Sequence, residues 1–165
     1  MTDERQRTKD KRLRANDLAT FVVRPSTLDL KPNTMRTINK IIIHCSATCE
    51  GLAFTAKDID RWHRQRGYTM IGYHYVILLD GTVEIGRPEE QPGAHCKGHN
   101  AHSIGICYIG GLDKEGRPKD TRTEQQRKAM KQLIADLLRK FPNATVHGHR
   151  EFANKDCPCF NIDNL

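Results

Sequence analysis

Apolar and polar positions alternate along this chain in two periods from residue 38 onward. Lys40-Ile41-Ile42-Ile43-His44 is a β-branched run, apolar on both faces, which predicts a central strand. Residues 72–79 and 82–86 read as strands joined by Asp80-Gly81, a pair that suits a two-residue hairpin turn. Residues 103–109 and 144–147 read as two further strands. The period changes at Thr55 and Asp58, a capping-box-like helix start with Phe54 and Ile59 placed as a hydrophobic staple and Gly67 as the stop. A second helix begins at Thr123 and Gln126. It carries Met130, Leu133, Ile134, Leu137, Leu138 and Phe141 at the 3.6-residue period before Pro142 ends it. Strands mixed with crossover helices predict an α/β fold: one domain over residues 35–165, with a central mixed sheet flanked by helices.

Composition narrows the classes. With 165 residues, 28% charged and 37% hydrophobic, the chain has room for one core. Its longest apolar stretch, residues 76–79, falls far short of the roughly 20 residues a membrane span needs, so no membrane insertion is expected. The basic N-terminus is not followed by an apolar segment, which reads as synthesis in the cytoplasm without a secretory signal. Residues 1–34 hold 8 Lys/Arg and 5 Asp/Glu and few large apolar residues before Phe21, so they read as a mobile basic arm. The formal charge of +7 favours an anionic partner: nucleic acid, a membrane surface or a cell-wall polymer. A nucleic-acid-binding zinc domain would want paired CxxC knuckles or an aromatic-rich basic face. The chain has no such knuckles and only ten aromatics, so no nucleic acid is expected.

Six cysteines, at 45, 49, 96, 107, 157 and 159, are scattered in a way that suits reduced thiols with one used as a metal ligand. Metal-ligand chemistry concentrates in two places. His44 closes the first strand, and His147-Gly148-His149 precedes Lys155-Asp156-Cys157-Pro158-Cys159. In α/β sheets ligands bind at strand ends, so a zinc site is expected there. Two imidazoles and one thiolate would fill three of four tetrahedral positions and leave one open, as a catalytic zinc requires. Strand parity does not choose between His147 and His149, and the choice between Cys157 and Cys159 is equally open.

Five segments together resemble one family: IIIHCSAT (41–48), IDRWHRQRGY (59–68), GYHYVILLDGTVEIGR (72–87), GAHCKGHNAHSIGICYIGG (93–111) and HGHREFANKDCP (147–158). They resemble the type 2 N-acetylmuramoyl-L-alanine amidases, which include amidase-type lysozymes of bacteriophages and animal peptidoglycan recognition proteins. The phage enzymes share HCSAT, the GxHxKGxNxxSIG run and the Lys-x-Cys-Pro ending. The resemblance implies one Zn2+ per chain held by His44, His149 and Cys157; His147 and Cys159 fall outside its motif, as groups supporting the ligands or as bystanders. It implies an active-site tyrosine at Tyr73 and a catalytic lysine at Lys155. Non-catalytic recognition proteins typically lose the cysteine ligand, which this chain keeps; a binding module without catalysis is the alternative reading. Two departures stand out: Cys159 where many bacterial members have Gly, and Asn161 where the family has Asp.

On this reading the substrate is peptidoglycan, cut between N-acetylmuramic acid and L-alanine, by a monomer acting on the cell wall as a phage-type endolysin. The loop from Gly93 to Asn100 is expected to line the groove, with His95 and Asn100 offering polar contacts. Arg87 is expected to pair with a stem-peptide carboxylate.

Overall fold

The computed structural model describes residues 36–165; the basic arm assigned to residues 1–34 lies outside them. β1 (Lys40–Cys45) is the isoleucine run, and Ile41, Ile42 and Ile43 are each fully buried. Parallel neighbours cover both of its hydrogen-bonding edges, and side chains cover both faces, so no polar position falls between Lys40 and His44. β5 (Ser103–Tyr108) pairs with it from Lys40↔Ser103 to Cys45↔Tyr108, and β7 (Thr145–Gly148) from Lys40↔Thr145 to Ile43↔Gly148. β3 (Tyr75–Ile77) lies parallel on the other side of β5, and β4 (Val83–Ile85) closes the edge antiparallel to β3. The order β4-β3-β5-β1-β7 is a mixed sheet, as the sequence predicts, with β5 rather than β1 at its middle.

Alternation along the strands assigns each side chain to a face. Ile41, Ile43 and Cys45 of β1 and Ile104, Ile106 and Tyr108 of β5 meet Met130, Ile134, Leu137 and Phe141 of α2 (Glu124–Lys140). On the opposite face, Val76, Cys107 and Ile109 meet Ala56 and Ile59 of α1 (Ala56–Gln65). His44 therefore projects on the α1 side, next to Cys107 of β5.

Both helices start where the polar signals place them. The Thr55 N–H and hydroxyl each donate to the Asp58 carboxylate at 2.9 Å, and Gly67 (φ 88°) follows the last turn of α1. At α2, Thr123 Oγ1 accepts from Gln126 N–H and Gln126 Oε1 accepts from Thr123 N–H, both at 3.0 Å. The fully buried Gln126 also donates to the carbonyls of Ile77 and Ile109, so this cap ties the helix to β3 and to the end of β5.

The β3–β4 hairpin departs from expectation. Its strands are shorter than 72–79 and 82–86, and five residues, 78–82, connect Ile77 to Val83. Leu78 N–H donates to Thr82 C=O, Gly81 N–H donates to Leu78 C=O, and only Gly81 has a positive φ (86°). A two-residue type I′ turn needs positive φ at both central positions. Here Asp80 instead accepts Thr82 N–H at 2.9 Å, and one left-handed glycine suffices. A two-stranded sheet of β2 (Thr48–Cys49) and β6 (Gly111–Leu112) escapes sequence reading because two residues carry no period.

Met130 is fully buried in the α2 face of the core. Met130→Ala is expected to destabilise the fold by about 2–5 kcal/mol, read as a lower urea midpoint with an unchanged slope.

Candidate metal centre and groove

Four parallel strands, β3, β5, β1 and β7, end on one side of the sheet, and the site forms around the ends of β1 and β7. His44, only 1% exposed, stands on the α1 face near the end of β1. β7 stops at Gly148, opposite Ile43, and the chain then tightens into a 3-10 turn, His149–Glu151. That turn breaks the parity of the extended strand. His149 swings to within 4.5 Å of the His44 ring, centroid to centroid. His147 stays behind, with Nδ1 on Glu151 at 2.6 Å and Nε2 on Thr145 Oγ1 at 2.7 Å. Glu151 also accepts Gly148 N–H at 2.7 Å, which fixes the start of the turn.

The third donor arrives on the following loop. Arg150 N–H donates to Cys157 C=O at 2.7 Å, and Tyr108 OH donates to Pro158 C=O at 2.7 Å. Cys157 Sγ accepts the backbone N–H of Cys45 at 3.3 Å and lies 3.7 Å from His44 Nδ1. Cys159 turns the other way, at φ 69°, and its Sγ meets Cys45 Sγ at 3.6 Å beside the α2-side core. The donor atoms of His44, His149 and Cys157 all lie within 4.8 Å of one another. Tetrahedral zinc with bonds of about 2.0–2.3 Å sets its ligand atoms about 3.3–3.8 Å apart; the His44–Cys157 pair already has that spacing, and the whole set is close enough for a metal site.

The electrostatics favour the ligating form of both histidines. Burial first, then the neighbouring His95, His149 and Lys155, hold His44 well below the usual imidazole range. Burial and then Lys155 lower His149 in the same way. Both rings are therefore neutral at pH 7, with a lone pair free for a metal. Tyr73 lies 5.0 Å from the His44 ring, and burial raises its phenol, which stays a neutral donor. Lys155 is exposed at the mouth of the site.

A groove of about 330 Å³ opens beside this cluster, lined in part by Tyr68, His95, Lys97, Asn100, His149, Phe152 and Lys155. Of the three residues expected to meet substrate, it includes His95 and Asn100. Asn100 faces the loop as well: its Oδ1 accepts the backbone N–H of both His95 and Cys96 at 2.9 Å. His95 has both ring nitrogens engaged inside, Nδ1 with His44 Nε2 at 2.9 Å and Nε2 with Ser103 Oγ at 3.3 Å. Burial, reinforced by His74 and His149, pushes its imidazole down to about 3. Arg87 is not among the lining residues. Its guanidinium donates to the carbonyls of Ile71, Pro92 and Met70, stitching the hairpin to the groove loop.

Sequence reading passed over His63. It is buried on α1, accepts Gly72 N–H on Nδ1 at 2.9 Å and packs 5.4 Å from the Tyr73 ring, so it sets the backbone just before the tyrosine. A histidine in the apolar stripe of an amphipathic helix is the one signal that pointed to it.

Comparison with known proteins agrees with this geometry. The family model described as N-acetylmuramoyl-L-alanine amidase matches residues 34–160. The chain is 40% identical over 122 residues to an endolysin of Escherichia phage T7, covering 74% of this chain and 81% of that protein. It is 37% identical over 124 residues to an endolysin of Enterobacteria phage K11, covering 75% of this chain and 82% of that one. Among solved structures, the N-acetylmuramoyl-L-alanine amidase LysC from Clostridium intestinale superposes with a TM-score of 0.68 at 30% identity, covering 81% of this chain and 85% of that chain.

Asn100→Ala removes the acceptor of two loop N–H groups at once. The expected outcome is a loss of about 1–3 kcal/mol in chemical denaturation, with faster amide hydrogen exchange at residues 95 and 96.

Proposed function

The chain belongs to the N-acetylmuramoyl-L-alanine amidase family, and we propose that it hydrolyses its substrate at one zinc ion held by His44, His149 and Cys157. It is an amidase that cuts the bond between N-acetylmuramic acid and L-alanine in peptidoglycan. The observation that carries the zinc reading is the N,N,S donor set gathered within 4.8 Å beside the groove. A zinc ion there supplies Lewis acidity toward a carbonyl and toward water.

The chain's own groups do the rest. Cys157 Sγ accepts the Cys45 N–H, which holds its orientation and would offset part of its charge as a metal-bound thiolate. The neutral phenol of Tyr73, 5.0 Å from His44 between ring centroids, donates a hydrogen bond to the carbonyl oxygen as that oxygen gains charge, or passes its proton to the leaving amine. Lys155 at the groove mouth adds an ammonium charge at the same oxygen. Lys97 and Lys155 are the charged residues of the groove lining, which suits a peptide bearing carboxylates. Asn100 and His95 form one wall of that groove, and Arg87 braces the loop behind it.

The endolysin relatives support a phage-type lytic role on the cell wall. Among the described residues no helix is long and apolar enough to cross a membrane.

The direct test is mass spectrometry of purified peptidoglycan digested with and without a zinc chelator. Free stem peptides beginning with L-alanine, lost on chelation, are expected; wall binding without release would leave only a recognition module. Cys157→Ser should lose zinc and turnover together. Tyr73→Phe should keep stoichiometric zinc by elemental analysis while kcat falls about 10²–10⁴-fold. Full turnover in Tyr73→Phe would remove the phenol from the mechanism.

A further inference from the structure

We infer that His95 is a positioning residue for the metal site: its Nδ1 holds the His44 ring in the one tautomer whose Nδ1 lone pair faces Cys157. The inference rests on the zinc reading above and extends it to the group behind the ligand. The two nitrogens of His44 point in different directions, Nε2 toward His95 at 2.9 Å and Nδ1 toward Cys157 Sγ at 3.7 Å. A neutral imidazole offers a lone pair at Nδ1 only if its proton is on Nε2. At 1% exposure that proton has no route to bulk water and needs a protein acceptor, and His95 Nδ1 is in place to be it.

The assignment propagates. With Nδ1 accepting, His95 carries its own proton on Nε2, which lies 3.3 Å from the hydroxyl of the fully buried Ser103. One consistent set of donors thus runs from His44 through His95 to Ser103.

The surroundings hold the His95 ring against rotation. A Cβ at Gly105 would come within 2.6 Å of His95 Cδ2 and 2.7 Å of Cγ, and one at Gly93 within 2.4 Å of Cδ2. Both positions give the ring room that only glycine leaves. The backbone N–H of His95 is tied to Asn100, and the two rings meet edge to face at 85°. Gly93, His95, Asn100, Ser103 and Gly105 of the segment GAHCKGHNAHSIG therefore converge on one imidazole. Ligating histidines usually donate to a carboxylate or a backbone carbonyl. A neutral ring in that role fixes the tautomer without adding negative charge to a site whose zinc would be bound by a thiolate.

Zinc affinity measured by competition with a chromogenic chelator at neutral pH tests this without reference to turnover. His95→Ala is expected to weaken zinc binding about 10–100-fold. His95→Asn, whose Oδ1 replaces the Nδ1 acceptor, is expected to recover to within about threefold of wild type. Unchanged affinity in His95→Ala overturns the inference, and so does Asn as weak as Ala, which would make the ring's bulk the cause. The wild-type protein supplies a second readout that does not depend on the alanine variant folding. Imidazole 15N correlation spectra of the metal-free chain should show His44 and His95 both protonated on Nε2, and a His44 protonated on Nδ1 overturns it. Wild type that binds no zinc would overturn the metal reading and this inference together, whereas zinc bound equally well without His95 removes this inference alone.

Discussion

β1 is hydrogen-bonded on both edges by parallel neighbours, and the site depends on that pairing. Its register with β5 sets His44 beside Cys107 and Ile42 beside Gly105. Its register with β7 brings Gly148 level with Ile43, so the turn carrying His149 begins one residue short of His44. A slip of one residue would send His44 to the α2 face and into the core. The isoleucine run that fills both faces makes such a slip costly, so the burial of Ile41, Ile42 and Ile43 specifies ligand position as well as stability.

The strand ends bring the ligands near, and two local devices aim them. At residue 149 the chain leaves extended geometry, and Glu151 secures the departure by bonding back to Gly148 and His147. At residue 157 the loop is pinned from both sides, by Arg150 N–H on its carbonyl and Cys45 N–H on its sulfur. The second contact comes from the residue after His44, so two of the three donors are referenced to the same peptide. That common anchor limits how far one can drift from the other.

This division explains what was legible in the chain. The strands, both helices and their caps follow from period and capping chemistry, because those signals are local. The hairpin was mispaired because Asp80-Gly81 suits two loop lengths, and hydrogen bonds across the turn decide between them. His149 was separable from His147 only through family resemblance, since the choice depends on where β7 stops. Arg87 and His95 each carry a plausible substrate-facing chemistry. What they touch, three carbonyls in one case and a second imidazole in the other, depends on segments far away in sequence. His63 gave a weaker signal still, since a histidine in a helical stripe is commonly just a core residue.

The charge arrangement follows the same logic at shorter range. A catalytic metal site needs neutral imidazoles beside positive charge, a combination that bulk water would blunt by screening. Here burial is the leading cause that lowers His44, His149 and His95, and Lys155 adds to it for the two ligands. On the proposed mechanism the lysine acts twice: exposed at the groove mouth it would meet carboxylates and the developing oxyanion, and its charge helps to lower the imidazoles of His44 and His149. A chain selected only to bind the wall would gain from the first effect and have no use for the second. The coincidence of both with a thiol ligand held by a backbone N–H is therefore an argument for hydrolysis.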